Sequence, residues 1–307
     1  MIVILMSLTV IPSCTDDISF ELQKCHNIQV VNMLFTPDST WKLSLFHLSS
    51  LDTIDDGKPI EDAIIQITSP ENTCHLQHLK DGIYISYERP SENINYELQV
   101  SLPNYPTIIA NDHVPISSFP IVKGIEKETS IFISNDIFEQ IEARKISIYL
   151  DSTMMENNYL ISAHAIRKAK YLESDSVKSY EEIEPFKQKI VLHSNDLHFT
   201  NIAQDQRHVL GSVSKITEDG YMLELWIPLD EYRTGAHSGS EFYISDIYLE
   251  IYHCSSNFFD YMKTSITQIS YRINPFTEPV KVYSNIENGA GIFAGYSKKI
   301  FQVKEFE

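Results

Sequence analysis

The chain has 307 residues, with 42 acidic against 24 basic side chains, a formal net charge of −18 and a pI near 5.0. A surface that acidic repels phosphate backbones and anionic headgroups, which argues against a nucleic-acid binder. Hydrophobic content of 43% with 11% aromatics argues against disorder, and the length accommodates two domains.

Residues 1–17 read MIVILMSLTVIPSCTDD. The apolar core Ile2 to Ile11 is about ten residues, roughly half of what a membrane-spanning helix requires. Ser13 is the small residue before Cys14, Ile11 is the branched residue three positions before it, and Asp16-Asp17 follow at once. This is the pattern of a lipoprotein export signal over residues 1–13, with Cys14 lipidated as the mature N-terminus. Several acyl chains on one cysteine exceed the two-signal requirement for stable anchoring. The acidic pair resembles the tag that sends some Gram-negative lipoproteins to the outer face of the outer membrane. The competing reading is a buried N-terminal strand in which Cys14 is a core residue. Residues 14–26 are expected to carry the lipidated cysteine and a polar tether.

From Ile28 onward the pattern is strand. Ile28 to Phe35 is apolar and ends at Pro37-Asp38-Ser39, and Trp41, Leu43, Leu45 and His47 alternate with Lys42, Ser44 and Phe46. Ala63 to Thr68 and His75 to Leu79 follow, and Lys80-Asp81-Gly82 signals a hairpin turn back into Ile83 to Tyr87. Tyr96 to Leu102 and Thr107 to Val114 complete seven short strands spaced about ten residues apart, which predicts a β-sandwich of immunoglobulin- or transthyretin-like type over residues 27–115. Pro115 and Phe119-Pro120 interrupt the pattern and mark a boundary.

Residues 116–300 are expected to form a second β-rich domain with one helix. Its strands are Lys145 to Leu150, Tyr159 to Arg167, Lys189 to Leu192, Tyr221 to Ile227 and Phe242 to His253. The last of these places Ile247, Leu249 and Ile251 on one face and Tyr248, Glu250 and Tyr252 on the other. Ser255 or Ser256 caps a helix to Ile269, in which Phe258, Met262, Ile266 and Ile269 share a face. Lys168 to Phe186 is charged without a clear period and reads as an exposed loop or short helix.

Chemistry-bearing patterns are few. Cys74, His75 and His78 lie within five residues, but neighbours on a strand point apart, so a shared metal needs a break in the strand. His253-Cys254 fails for the same reason. Asp52, Asp55, Asp56, Glu61 and Asp62 form an acidic loop without the spacing of a calcium-binding loop, because Ile54 occupies the middle position. Gly211-Ser212-Val213-Ser214 does not match a nucleophile elbow. No catalytic residue, cofactor or metal is therefore assigned, and enzyme activity is not expected. With Cys14 lipidated, Cys25, Cys74 and Cys254 allow at most one disulfide; Cys25 with Cys74 is the closer pair, and three buried thiols is the alternative. Tyr243, Tyr248 and Tyr252 are candidates for a carbohydrate- or peptide-binding surface, against the commoner role of strand aromatics in cross-strand packing. Ile292 and Phe293 read as core anchors of a closing strand.

Several pieces together carry a family resemblance: the Cys14 start, the first strand IQVVNMLFTPDS, Ala63-Ile64-Ile65, and Asp81-Gly82-Ile83-Tyr84. To these add Val114-Pro115, Ile148 to Asp151 leading to Asn158-Tyr159, and the tail PFTEPVKVYSNIENGAGIFAGYS. The chain resembles the outer-membrane lipoproteins grouped as domain-of-unknown-function family DUF4249 from Cys14 to about Ser297, most specifically over Ser284 to Phe293. Where the family pattern often has two glycines this chain has Asn288-Gly289; Asn tolerates positive φ best after glycine, so the turn is expected to persist. The resemblance implies no established activity. It implies an accessory of TonB-dependent transporters of the starch-utilisation type. The expectation is thus a surface-exposed, lipid-anchored outer-membrane binding protein of unknown ligand, with a TonB-dependent β-barrel transporter as partner in nutrient uptake. The alternatives are a structural or adhesive surface lipoprotein, and an exported hydrolase whose site is not recognisable from sequence.

Overall fold

The computed structural model describes residues 28–48, 57–116, 120–135, 137–150, 157–171, 186–201, 208–213, 220–228, 240–271 and 280–303. Cys14, Cys25, the predicted tether and Asp52, Asp55 and Asp56 of the acidic loop lie outside the described residues.

The first eight strands are β1 (Ile28–Phe35), β2 (Lys42–Leu48), β3 (Lys58–Pro59), β4 (Ile64–Thr68), β5 (Thr73–Lys80), β6 (Ile83–Ile85), β7 (Asn95–Ser101) and β8 (Ile108–His113). Seven match the sequence expectation within a few residues, and β3 is an additional two-residue rung on β2. Alternation decides their orientation. Trp41, just before β2, and Leu43 and Leu45 within it are buried while Lys42 faces solvent, and β7 buries Tyr96, Leu98 and Val100 between polar neighbours. The β5–β6 turn has Asp81 at φ 50° and Gly82 at φ 70°, as a two-residue hairpin loop with matching twist requires. A Cβ on Gly82 would stand 2.4 Å from the Leu45 carbonyl oxygen, so only glycine fits.

A bulge between His78 and Lys80 lets β5 turn the sheet over on itself. The layers β1-β2-β6 and β5-β4-β7-β8 then face each other across one core of Val31, Met33, Phe35, Leu43, Leu45, Ile65, Ile67, Leu98 and Ile108. Phe35, Trp41 and Tyr96 meet edge to face or tilted at centroid distances of 4.9–5.8 Å.

The remaining elements are β9 (Ile121–Asn135), β10 (Ile137–Leu150), β11 (Asn158–Tyr171), β12 (Phe186–Ile190), β13 (Phe199–Asn201), β14 (His208–Ser212), β15 (Tyr221–Pro228), β16 (Ser240–Cys254), α1 (Ser256–Tyr271) and β17 (Ala290–Val303). The predicted helix is present. The loop expected over 168–186 is corrected at both ends: residues 168–171 extend β11 opposite β16, and Phe186 opens β12. Residues 172–185 lie outside the described residues. β9, with the sequence IVKGIEKETSIFISN, has no sustained period of two, and β10 begins at Ile137 rather than Lys145. These strands are set by pairing with each other over 121–149, interrupted by two register shifts.

β15-β10-β9 form a separate three-stranded sheet that covers β11 and β16. Between them lies a second core, including Ile146, Ile148, Tyr159, Ile161, Leu223, Leu225, Leu249 and Ile251. β17 runs parallel to β1 and antiparallel to β16, so one hydrogen-bonded sheet of 14 strands continues from the first core past the second. Its Phe293 fills the first core while Val303 belongs to the second. α1 packs Phe258, with Met262 and Ile266, on Leu160, Cys254, Ile292 and Ala294. The molecule is mainly β in two sheets, sandwich-like in arrangement, with one helix among the described residues. No helix among them is long and apolar enough to cross a membrane.

Candidate functional site

The tail shared with the family resemblance works as a clasp on β8, the last strand of the large sheet. Unpaired N–H and C=O groups along such an edge invite another strand. Here Glu287 exchanges both backbone bonds with Ile109, and Asn288 Nδ2 donates to the Thr107 carbonyl at 2.9 Å. Asn257 and Asn285 amides both donate to the Asn111 carbonyl. Asn285 also fixes its own loop, donating to Phe293 O at 2.7 Å and accepting from Phe293 N at 3.0 Å. Asn288 sits at φ 61°, so the turn does persist with asparagine where two glycines are usual. The Ser284–Phe293 stretch thus reads as a structural clasp. Ile292 and Phe293 are buried at 2% and 0%, as core anchors should be.

At the end of β8 the clasp meets the helix. Asp112 is buried, and its Oδ2 accepts from Ser255 Oγ at 2.6 Å and from the Gly295 N–H at 2.9 Å. Ser255 Oγ in turn accepts from the Phe258 N–H, which makes Ser255, not Ser256, the helix cap. One carboxylate therefore ties β8, α1 and β17. Ser255 bonds the carboxylate directly with no imidazole between, and its residue is fully buried, so the pair is a structural tie and not an activated nucleophile. Sequence reading missed Asp112, because a single Asp near a strand end reads as a turn residue until its distant partners are known.

Beside this tie is a trough of about 660 Å³, floored by Thr68, Glu97 and Asn111 from neighbouring strands and walled by Asn95, His113 and Asn257. A smaller polar recess of about 170 Å³ adjoins it and shares Ser69 and Tyr96. The trough's floor carries amide, hydroxyl and carboxylate groups that can hydrogen-bond a ligand, set in a lining whose surface is mostly apolar and includes Pro70 and Tyr96.

The residues singled out from sequence are distributed elsewhere. Cys74 is a free, buried thiol that donates to Ser86 Oγ at 3.0 Å; burial pushes its pKa up. His75 is on the opposite, exposed face, and the His78 ring leans on Tyr84 at 5.2 Å, 4.0 Å from Glu61. These three do not converge. Cys254 is buried and its thiol donates to the Tyr252 carbonyl at 3.5 Å, and His253 stacks on Tyr159 while its Nδ1 contacts the Ile116 carbonyl at 2.7 Å. Gly211 passes against the Phe199 ring, where a Cβ would approach to 2.2 Å, so its glycine serves packing.

The outer face of β16 holds a polar cluster instead of an aromatic platform. Glu250 is buried and accepts from Lys187 Nζ and from Tyr252 Oη, both at 2.8 Å, with His164 Nδ1 at 3.6 Å. Burial pushes the Glu250 carboxyl up, but the Lys187 and Tyr252 hydrogen bonds outweigh it and hold it at about 2. Burial, with Lys187 next, lowers His164, and burial with the Glu250 bond raises Tyr252. Tyr248 stacks on His164 at 5.2 Å and Tyr252 packs on Tyr296 at 5.6 Å, so both candidate tyrosines are committed to neighbours. The side chain of Tyr243 lies outside the described residues.

The fold and trough define a mainly-β protein whose open trough lies between a sandwich and the N-terminal end of a helix. Residues 15–301 match the family model described as Domain of unknown function (DUF4249), and the chain belongs to that family. No curated protein matches the chain.

Proposed function

We propose that this chain is a lipid-anchored outer-membrane lipoprotein facing the cell exterior, which captures a ligand as the accessory of a TonB-dependent β-barrel transporter in nutrient uptake. The trough of about 660 Å³ supports capture, since it presents groups that bind while Ser255, the buried hydroxyl beside it, is committed to Asp112. The apolar run ending at Ser13-Cys14 supports the anchor. The adhesive alternative requires no partner barrel, and this is where the two part.

Two measurements test the reading. A mild-detergent pull-down of the full-length tagged protein, read by mass spectrometry, is expected to recover a β-barrel in stoichiometric amount. Recovery of the lipoprotein alone rejects the transporter partnership and leaves the adhesive reading. Separately, Cys14→Ala is expected to abolish metabolic lipid labelling and release the protein from membranes. Labelling that persists in the variant refutes the anchor.

A further inference from the structure

The trough opens onto the outer face of β5-β4-β7-β8, where amides, hydroxyls, a carboxylate and an imidazole stand in register beside the apolar Ile64 and Ile109. One cross-strand row is Thr73, Thr68, Glu97 and Asn111; the next is His75, Gln66, Gln99 and Ile109. The alternation that buries Ile67, Leu98 and Ala110 turns Thr68, Glu97, Gln99 and Asn111 outward. Strands stand about 4.8 Å apart, so the four cover roughly 14 Å.

Hydrogen bonds fix which way these amides point. Gln66 Nε2 donates to Gln99 Oε1 at 2.7 Å, and Gln99 Nε2 donates to Glu97 Oε1 at 2.6 Å. The relay uses one N–H from each amide and one carboxylate oxygen. By valence it leaves a second N–H on Gln66 and on Gln99, with Gln66 Oε1 and Glu97 Oε2 as acceptors beside them. Donors and acceptors thus alternate at fixed positions along a path that crosses from β4 to β7 and then turns to run along β7.

That alternation selects among ligand classes. An ammonium offers only donors, and a phosphate or carboxylate offers only acceptors, so each would meet the wrong partner at every second position. Anionic ligands face the charge of −18 as well. A peptide carries both kinds of group, but its strong mode of recognition is addition to a sheet edge. The β8 edge is occupied by Glu287, Asn257, Asn285 and Asn288. A hydroxyl donates and accepts through one atom, so successive hydroxyls on a sugar chain satisfy the row in either sense.

We propose that the face of β5-β4-β7-β8, with the trough as its end stop, binds a neutral oligosaccharide through the Gln66–Gln99–Glu97 relay and Asn111. This rests on the capture reading above and deepens it by naming the ligand class.

The test is isothermal titration of the full-length protein in mild detergent with neutral hexasaccharides: α- and β-linked glucans, a xylan and a mannan. Hexagalacturonate and hexalysine serve as the charged comparators. At least one neutral chain is expected to bind, and Gln66→Ala with Gln99→Ala is expected to weaken it about tenfold or more. Thermal unfolding of the double variant reports whether the fold survives. Glu97→Gln keeps the shape and the Gln99 hydrogen bond but removes the charge and turns one acceptor of the relay into a donor, so it is expected to weaken neutral-chain binding by less than the double variant does. Binding of hexalysine alone, or its abolition by Glu97→Gln, assigns the face to a cation and overturns the proposal. Binding of hexagalacturonate alone, or of none of these ligands, overturns it equally. Those results leave the pull-down untouched, so failure of the ligand class and failure of the transporter partnership remain distinguishable.

Discussion

The two cores are built by different rules, as β7 and β11 show side by side. β7 alternates strictly, with Tyr96, Leu98 and Val100 inward and Glu97 and Gln99 outward, because one of its faces meets solvent. β11 is buried at every position from Asn158 to Ala165. Its Tyr159, Ile161, Ala163 and Ala165 enter the second core, while Leu160 meets α1 and Ser162 and His164 lie near Glu250. A strand covered on both faces loses the period of two and admits polar residues wherever partners exist. The first core is therefore a patterning problem and the second a pairing problem.

The sharpest challenge to that division is β17, which comes late in the chain and contributes to both cores. Phe293 is fully buried and lies 4.7 Å from Phe35, whose ring is 5.2 Å from Trp41. Phe293→Ala is expected to cost about 4 kcal/mol through lost burial and the cavity left behind. The two tryptophans make the location readable, since Trp41 is in the first core and Trp226 pairs through its backbone with His193. In a Trp226→Phe background, urea unfolding followed by Trp41 fluorescence should show the full loss. An unchanged midpoint would mean that the tail only lies on the first core. A matching loss reported by Trp226 in a Trp41→Phe background would show that the continuous sheet unfolds as one unit.

The same contrast governs what was legible in sequence. The first strand set could be read from alternation and from Asp81-Gly82, because period and turn chemistry are local properties. β9 could not, since Lys123, Glu126 and Gly124 conceal a strand that exists through its pairing with β10. The trough was not legible either. Its Thr68, Glu97 and Asn111 are ordinary strand polar residues until register sets them side by side, and Asp112 gains meaning only from Ser255 and Gly295, more than 140 residues away. The tail was recognised as a motif, but its role as a clasp depends on β8, to which it is joined only in space.

Acid should separate the regions. Burial lowers His193 to about 4 from an ordinary 6.5, so the folded protein keeps it neutral while the unfolded chain protonates first. Its contribution is complete above pH 6.5 and is lost as pH falls through 4. Glu250, held at about 2 from an ordinary 4.5, contributes fully above 4.5 and loses that contribution on further acidification. His164 is lowered as well, and all three lie beyond β10. In the first region the resolved shifts are of Cys74 and Tyr84, both upward, and their contributions are lost only in alkali. Taking the chain from pH 7 to pH 5 should cost about 2 kcal/mol through His193. Urea unfolding at the two pH values, followed by Trp226, measures it. A drop of the same size in His193→Gln would show that acid acts elsewhere.

The smallest effect concerns the three-stranded sheet, where charge and burial make rival claims. Lys145 on β10 reaches Glu126 directly across on β9 at 3.2 Å and, diagonally, Glu224 on β15 at 3.1 Å, bridging all three strands. The hydrogen bond to Glu224, then that to Glu126, raises the Lys145 pKa, which marks the contact as attractive. Yet the carboxylate side chains are 44% and 60% exposed, and water and salt screen most of such an attraction. On the inner face of the same strands, Ile146, Ile148, Leu223 and Leu225 are fully removed from solvent. Burial of that kind is worth about 1.5–3 kcal/mol per side chain, so it dominates. Lys145→Ala is accordingly expected to cost less than about 1 kcal/mol, and less still in high salt. Urea midpoints at low and high salt check this. A larger, salt-sensitive loss would show that the small sheet is held to its place by this charged bridge, and that the second core depends on pairing at its surface as much as on the apolar layer beneath.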